Sequence, residues 1–219
     1  MTTSEILVKR VATYVKSKLW GEPTGHDWYH AQRVLRMARI LQREEGGNLS
    51  VIELAALVHD LGDYKKHDYN EYKGNLVLDA MMDILEINRD TQRRIMRIVS
   101  ESQYKGSETK VPSTIEGKII QDADWLETVG AIGIARGFAT GGQIGRMMYD
   151  PDIKPRTGLN KLDYQKKKYE GTSLNYFFEK SLRLSEMMNT KTGKKIAKRR
   201  SEFLLSFIDE FIAEWNGIR

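Results

Sequence analysis

The residues of this chain whose types and spacing could do chemistry centre on residues 54–63, LAALVHDLGD. An almost wholly apolar segment ends in two adjacent residues that can bind metal, His59 and Asp60, and a further acid, Asp63, follows one helical turn later. Burying an imidazole and a carboxylate is costly unless another group pairs with them. A bound divalent cation would provide that pairing, so the segment indicates a metal site.

Two other positions complete a candidate ligand set. His30 lies in the first turn of the helix predicted before this segment, and Asp124 belongs to a distant segment that is also predicted to be buried. His59 and Asp60 stand about 100° apart on a helix, so both can reach one cation. Two imidazoles and two carboxylates suit Mn²⁺, Mg²⁺, Ni²⁺, Fe²⁺, Co²⁺ or Zn²⁺, with further positions open to water and substrate oxygens. Asp122 is the alternative to Asp124 in this role.

The helices predicted from hydrophobic periodicity explain how these residues could meet. Residues 4–20 and 26–45 each carry apolar side chains at helical spacing. Residues 50–61, which follow a capping box expected from Ser50 and Glu53, leave no polar face, and that pattern is typical of a buried helix. This third helix would therefore deliver the His-Asp pair to the interior.

A second buried helix is predicted further along the chain. Ser113 and Glu116 form another expected capping box, and the carboxylates that follow stand at the head of the apolar run 129–139. Further helices are predicted over residues 76–87, 91–100, 172–188 and 190–215. The last of these is expected to face inward through Ile196, Phe203, Leu204, Phe207, Ile208 and Phe211.

The pattern as a whole predicts an all-α fold, a single domain of about eight helices over residues 1–219. Its core is expected at about residues 20–215. Residues 141–171 are expected to form a long loop, which in a compact domain often serves as a functional lid. No stretch shows the alternation typical of a strand.

Composition excludes several classes of protein. The chain has 219 residues with no cysteine, so disulfides, thiolate ligands and a cysteine nucleophile are excluded. No apolar run is long enough to span a membrane, and the N-terminus lacks the pattern of a signal peptide, so cytoplasmic residence is expected. The net charge of +5 suits an anionic substrate. The basic runs at 166–168 and 194–200 are expected to be solvated, and nucleic-acid binding is not expected.

Around these residues the sequence resembles the HD-domain metal-dependent phosphohydrolase superfamily, most closely its small stand-alone bacterial-type members. The resemblance covers about residues 20–215 and rests on HDWYHAQRV, LAALVHDLGDYK and EGKIIQDADWLETVGAIGIAR. In these stretches His30 matches the family's first histidine, His59 and Asp60 match its namesake pair, and Asp124 matches its last aspartate. The resemblance implies a helical HD-domain bundle and one divalent metal held by those four residues.

The resemblance also implies hydrolysis of a phosphate ester or anhydride, often in a nucleotide. Related enzymes use an acid three positions after the metal-binding aspartate for proton transfer, and Asp63 stands there; orienting one of the metal-binding histidines is the alternative. Lys65 matches the lysine of the family's HD-x-x-D-x-K-like run. Relatives with two metals carry extra histidines, whereas only His26 and His67 are spare here, so a mononuclear site is favoured. At residues 100–105 this chain has SESQYK where many relatives carry a histidine, so substrate preference could differ.

Four residues are candidates for binding the substrate's phosphate group. Lys65, Arg33 and Arg136 could neutralise non-bridging oxygens as charge develops, and His26 could contact a phosphate. Each has an alternative: Lys65 could be a solvated loop lysine, the two arginines could face structural carboxylates, and His26 could pack near Trp28.

Three functions follow in order of preference. The first is a metal-dependent phosphohydrolase in which a metal-activated water attacks a small phosphorylated substrate, with a nucleotide as the expected kind. The second is a non-catalytic nucleotide-sensing or protein-binding module that has kept the fold. The third is a nuclease, favoured only by the positive charge.

Overall fold

In the computed structural model, which describes residues 2–166 and 170–219, the protein is built from α-helices and no strand occurs within these residues. The ten α-helices are α1 Thr3–Leu19, α2 Trp28–Glu45, α3 Leu49–Val58, α4 Glu71–Ile84, α5 Arg89–Ser102, α6 Ile115–Trp125, α7 Gly130–Gln143, α8 Lys161–Lys166, α9 Leu182–Glu186 and α10 Lys191–Trp215. The all-α prediction is confirmed, with ten helices in the described residues rather than about eight. The single-domain organisation stays a prediction.

Helix α3 is buried from its third residue to its end, as its apolar sequence predicts. Every residue from Val51 to Val58 is buried, and α3 packs against α1, α2, α5 and α6. Its N-terminus differs from the prediction, because Asn48 is the N-cap and accepts a hydrogen bond from the Val51 N–H at 3.1 Å. The capping box expected from Ser50 and Glu53 is therefore wrong, and the Glu53 carboxylate instead accepts from Arg39 at 2.7 Å.

The second expected capping box is also wrong. Thr114, not Ser113, caps α6 by accepting from the Gly117 N–H at 3.1 Å. The Glu116 carboxylate accepts from the Asn48 N–H at 3.0 Å instead of closing on its own helix. This hydrogen bond joins the first turn of α6 to the N-cap of α3, so these two helices, which end at candidate ligands, begin side by side.

The acidic cluster ends one helix rather than heading another. Asp122 and Asp124 lie in the last turn of α6, and a 3₁₀ turn, Leu126–Thr128, then leads to Gly130, whose φ is +74°. Helix α7 buries one face only, because Ile132 on its other side is 42% exposed. The prediction of a second wholly buried helix headed by the carboxylates is therefore wrong.

Two apolar clusters make up the interior. The first is formed by α1–α6, and the second joins Tyr104 and Trp125 to side chains of α7, α9, α10 and the segment between α8 and α9. Helix α6 contributes to both clusters, so its last turn lies where they meet. In α10, Leu204 and Ile208 are buried as predicted, whereas Phe203 is 54% exposed, and the prediction that it faces inward is wrong.

The structure describes one of the two basic runs in full and most of the expected loop at 141–171. In the basic run of α10, residues 194, 195, 198 and 199 are exposed, whereas Arg200 is half-buried and donates to the Leu126 carbonyl. The expected loop contains α8, and the N–H groups of Ser173 and Leu174 donate to the carbonyls of Met147 and Met148. Residues 167–169 lie outside the described residues; all three belong to that loop, and residues 167 and 168 belong to the other basic run. No described helix is both long and apolar enough to cross a membrane.

Asp122 links α6 to the start of α10. Its carboxylate is fully buried and accepts from the Asn189 N–H at 2.8 Å, the Thr190 N–H at 2.8 Å and the Thr190 hydroxyl at 2.7 Å. Burial raises the pKa of this carboxyl, although the hydrogen bonds from Asn189 and Thr190 act in the opposite direction. These contacts make Asp122 a structural group rather than an alternative metal ligand.

Replacing Asp122 with alanine should therefore lower the free energy of unfolding by about 2–4 kcal/mol, because buried donors lose their acceptor. Urea unfolding followed by circular dichroism measures the change, and Mn²⁺ binding should survive in the folded variant. Asp209→Ala, at an exposed position of α10, is the matched control. Equal stability of the two variants would contradict the structural role.

Candidate metal centre and adjoining cleft

Three helices bring the candidate ligands together. His30 lies in the first turn of α2, where Asp27 caps the helix by accepting from the His30 N–H at 2.9 Å. His59 and Asp60 follow directly after α3 and are 7% and 4% exposed. Asp124 lies in the last turn of α6, with its side chain 34% exposed. Two imidazoles and one carboxylate are thus buried, and the second carboxylate faces an opening.

The distances within this cluster fit a single cation. The Nε2 atoms of His30 and His59 are 3.2 Å apart, and Asp124 Oδ1 lies 3.4 Å from the first and 3.7 Å from the second. Asp60 Oδ1 lies 3.4 Å from His59 Nε2. Donor atoms bound to one ion at about 2.0–2.2 Å are themselves about 3 Å apart. His30, His59 and Asp60 therefore form a possible metal site, since their ligand atoms all lie within 4.8 Å of one another.

The outer nitrogens of both rings face oxygen acceptors. His59 Nδ1 is 2.8 Å from the Ala56 carbonyl, and His30 Nδ1 is 3.4 Å from Glu127 Oε2. A proton on each Nδ1 leaves the Nε2 lone pairs directed at the centre, which is the tautomer that metal ligation requires. The orienting groups are thus Ala56 and Glu127. Asp63, for which orienting a histidine was one alternative, instead accepts from the Lys65 ammonium at 2.9 Å.

The cluster strongly favours positive charge. Burial disfavours the imidazolium of His59, but Asp60 and Asp124 outweigh it and raise the pKa of this side chain to about 9. Burial likewise opposes ionisation of Asp60, yet Lys66 and His59 hold its pKa well below the usual range. For Asp124, the hydrogen bonds from His30 and His59 overcome burial and lower the pKa well below its usual value. Two ionised carboxylates at a buried point are what a divalent cation would neutralise.

The exposed edge of the cluster opens into a cleft with two sections. The inner section has a volume of about 50 Å³ and is lined by Asp60, Asp124 and Arg136 among others. The outer section has a volume of about 300 Å³ and includes Lys66 and Arg146. His26, Asp63, Lys65, Thr140, Tyr176 and Lys180 line both sections. The predicted catalytic acid and three of the predicted substrate contacts, His26, Lys65 and Arg136, thus face the same space as the carboxylates of the candidate ligands.

The predicted phosphate contacts differ in whether their side chains face the cleft or bind other groups of the protein. Arg33 donates through Nε to Glu127 Oε2 at 2.7 Å, and Arg136 donates to the Glu127 carbonyl at 3.1 Å while also lining the cleft. His26 Nδ1 is 2.8 Å from the Thr24 hydroxyl. Burial, followed by the charge of Arg136, lowers the pKa of His26 well below its ordinary value, so its imidazole is neutral. Arg33 therefore faces a structural carboxylate, which was the alternative to substrate binding for this residue. Arg136 and His26 face the cleft.

Several cleft residues were not anticipated from the sequence. Lys66 binds Asp60 Oδ2 at 3.0 Å, and Arg146, Tyr176 and Lys180 come from segments far along the chain. Lys66 stands beside Lys65 and close to the His-Asp pair, so proximity alone could have suggested it. The other three carry no spacing signal that links them to the cluster.

Comparison with known proteins shows that the chain is similar to the HD-domain family and to a protein of Bacillus subtilis. The model of the HD domain matches residues 27–129, a span that contains all four candidate ligands. YpgQ of Bacillus subtilis strain 168 is 34% identical over 212 residues, which cover 96% of this chain and 94% of YpgQ. The crystal structure of YpgQ in complex with ADP covers 97% of this chain and 100% of that one, at 32% identity and a TM-score of 0.73.

Two further crystal structures extend the similarity. A Lactobacillus plantarum protein is 35% identical with a TM-score of 0.87, and the match covers 99% of this chain and 100% of that one. An HD-superfamily hydrolase of Bacillus thuringiensis is 38% identical with a TM-score of 0.73, covering 98% and 99% of the two chains.

Glu127 should control the affinity of the cluster for metal. Replacing it with glutamine removes the charge that faces His30 Nδ1, and losing such an outer partner typically weakens metal binding by about 10–100-fold. Calorimetric titration with Mn²⁺ measures the effect. Arg33→Met removes the ion pair with Glu127 but keeps the carboxylate, so its affinity should change far less, and Glu202→Gln on exposed α10 should not change it. Wild-type affinity in Glu127→Gln would contradict this role.

Proposed function

The chain belongs to the HD-domain family, and on that premise we propose that it is a metal-dependent phosphohydrolase. It would cleave a phosphate ester or anhydride bond of a small phosphorylated substrate, with a nucleotide as the first candidate. The observation that carries the proposal is the buried His-Asp cluster whose carboxylates open into a cleft lined by lysine and arginine side chains. The ADP complex of YpgQ supports a nucleotide as the ligand.

In this proposal His30, His59, Asp60 and Asp124 hold one divalent ion, drawn from Mn²⁺, Mg²⁺, Ni²⁺, Fe²⁺, Co²⁺ and Zn²⁺. A bound ion of this kind supplies an acidified water and polarisation of a phosphoryl oxygen. Burial of the two histidines keeps competing water away from their ring nitrogens. The half-open position of Asp124 leaves one side of the cluster accessible to substrate.

Asp63 is the residue we propose to transfer the proton. Its carboxylate is held by the Lys65 ammonium at 2.9 Å and by the Lys65 N–H at 2.9 Å, at the edge of the cleft. A phosphate group entering the cleft would compete for the Lys65 ammonium, which leaves the Asp63 carboxylate available to accept a proton. The ion pair thus holds both groups in place before substrate arrives.

The remaining cleft residues would bind and neutralise the phosphate group. Lys65 and Arg136 bring positive charge to the inner section, where negative charge on the phosphoryl oxygens increases during the reaction. His26 lines the inner section, and its neutral imidazole would contact the substrate without adding charge. Cytoplasmic residence, expected from the sequence, stays a prediction.

The alternative of a non-catalytic nucleotide-binding module predicts different behaviour. Such a module needs the cleft but not the complete ligand set or the acid at the cleft edge. Retention of His30, His59, Asp60, Asp124 and Asp63 within one cluster and its cleft favours the enzyme.

Turnover assays distinguish these two functions. Purified protein should release phosphate or pyrophosphate from AMP, ADP or ATP when Mn²⁺, Mg²⁺, Ni²⁺ or Co²⁺ is added. His59→Ala should abolish turnover, and Asp63→Asn should lower kcat by about 10²–10⁴-fold while metal content stays at the wild-type level.

Asp68→Asn is the matched control, because Asp68 pairs only with exposed Lys73 in the contacts described for it and its positive φ suits asparagine. Absence of turnover in the wild-type protein with every metal and nucleotide, or full turnover in His59→Ala, would contradict the proposed hydrolase.

A further inference from the structure

The C-terminus of α6 is capped by a side chain from another helix. Leu126 is the C-cap residue of α6, and its carbonyl accepts a hydrogen bond from Nη1 of Arg200 in α10. The last carbonyls of an α-helix have no partner within the helix, and a cation at this end also interacts favourably with the helix dipole. Arg200 therefore stabilises the end of the helix that carries Asp124 in its last turn.

The stem of the Arg200 side chain lies against the residue that starts the next helix. Gly130 begins α7 with a φ of +74°, and a Cβ at this position would lie 3.2 Å from Arg200 Cγ and 3.3 Å from Arg200 Cβ. A larger residue at Gly130 would displace the arginine as well as strain the backbone. One side chain thus reaches from the start of α7 back to the first residue of the 3₁₀ turn Leu126–Thr128.

The surroundings of Arg200 keep its charge near this turn. The side chain is half-buried, and Leu126 and Val129 beside it are buried. Burial lowers the pKa of Arg200, and the charge of Glu127 acts in the opposite direction. An arginine side chain nevertheless stays protonated in proteins. The guanidinium is therefore a permanent positive charge at the end of α6.

Glu127, in the middle of the turn, connects this contact to the candidate metal centre. Its carboxylate is buried, and Oε2 lies 3.4 Å from His30 Nδ1. The same oxygen accepts from Arg33 Nε at 2.7 Å. Because the side chain is enclosed on these sides, the position of its carboxylate depends on where the backbone of the turn lies.

Arg200 differs from the other arginines at this turn in the group that it binds. Arg33 binds the Glu127 carboxylate and Arg136 binds the Glu127 carbonyl. Arg200 instead binds the carbonyl of the preceding residue, at the junction where α6 ends. Its contact therefore acts on the backbone from which Glu127 projects, and not on the carboxylate that faces His30.

We propose that Arg200 is a positioning residue of the candidate metal centre. By holding the Leu126 carbonyl, it fixes the turn from which Glu127 faces His30, and it thereby strengthens the binding of a divalent cation. The inference rests on the proposed function only for the presence of a metal ion at the cluster. Metal binding alone is sufficient to test it, and hydrolysis is not required.

The test measures Mn²⁺ binding by isothermal titration calorimetry. Arg200→Met removes the donor to the Leu126 carbonyl and should weaken Mn²⁺ binding by about 3–10-fold, less than the loss of the Glu127 charge itself. Arg200→Lys should restore most of the affinity, because one hydrogen bond to a carbonyl does not need the two-pronged geometry of a guanidinium. Arg199→Met, at the adjacent exposed position of α10, is the matched control and should leave the affinity unchanged.

A double-mutant cycle tests whether Arg200 acts through Glu127. In a Glu127→Gln background, Arg200→Met should weaken Mn²⁺ binding by less than about twofold, because the charge that Arg200 positions is already absent. A general loss of packing would instead weaken binding by the same factor in both backgrounds. The cycle therefore separates positioning from a merely structural role.

Several results would overturn the inference. These are wild-type Mn²⁺ affinity in folded Arg200→Met, equal weakening in Arg199→Met, no recovery in Arg200→Lys, and an undiminished effect of Arg200→Met in the Glu127→Gln background. If Arg200→Met does not fold by circular dichroism, Arg200→Gln, which removes the charge and shortens the side chain, is measured against the same criteria.

Turnover separates this inference from the proposed function. Weakened Mn²⁺ binding in Arg200→Met, in a protein that hydrolyses no nucleotide, contradicts the hydrolase and supports the positioning role. Nucleotide turnover by the wild type, together with a Mn²⁺ affinity that Arg200→Met leaves unchanged, contradicts the positioning role alone. A wild-type protein that binds none of Mn²⁺, Ni²⁺ and Zn²⁺ contradicts both.

Discussion

Two buried imidazole nitrogens face each other at 3.2 Å beside the carboxylates of Asp60 and Asp124, and the candidate metal centre depends on how that contact is compensated. While both rings are neutral with protons on Nδ1, neither can donate to the other, so the two Nε2 lone pairs repel unless an imidazolium proton on His59 or a bound cation lies between them. Asp60 and Asp124 supply the negative charge that makes this favourable. Electrostatic attraction within this cluster therefore favours the convergence of α2, α3 and α6, in addition to the packing of their apolar side chains.

The 3₁₀ turn Leu126–Thr128 connects this cluster to the second half of the protein. Arg33 from α2 binds the Glu127 carboxylate, Arg136 from α7 binds the Glu127 carbonyl, and Arg200 from α10 binds the Leu126 carbonyl. Three helices therefore hold the turn from which Glu127 faces His30. The packing of α7 and α10 is in this way linked to the orientation of a histidine at the candidate metal centre, although neither helix carries a candidate ligand.

The sequence predicted the candidate site best where a helical hydrophobic pattern and residues that can bind metal occur in the same segment. Helix α3 has no polar face, so its burial could be predicted, and the His-Asp pair at its end could be predicted as candidate metal ligands. Helix starts were less predictable, because Asn48 and Thr114 lie within two residues of equally suitable caps and only the tertiary contacts of Glu53 and Glu116 decide between them. The carboxylates end α6 because a 3₁₀ turn and a glycine with positive φ interrupt the chain there, which periodicity does not encode.

The far wall of the cleft was beyond sequence reasoning for a related reason. Lys180 reaches the cleft through a π-helical turn, and Arg146 and Tyr176 meet only because residues 147–148 hydrogen-bond to residues 173–174. No spacing rule connects such positions to the candidate metal cluster. The sequence therefore predicted the candidate ligands and the candidate acid, whereas the far wall of the cleft follows only from the fold.

The most direct test of the central claim is diffraction from crystals grown with Mn²⁺ and measured at the manganese absorption edge. The account predicts one anomalous peak in contact with the Nε2 atoms of His30 and His59 and with the carboxylates of Asp60 and Asp124. A cluster without a peak under conditions in which Mn²⁺ binds the protein, or an ion bound by residues other than these four, would contradict it.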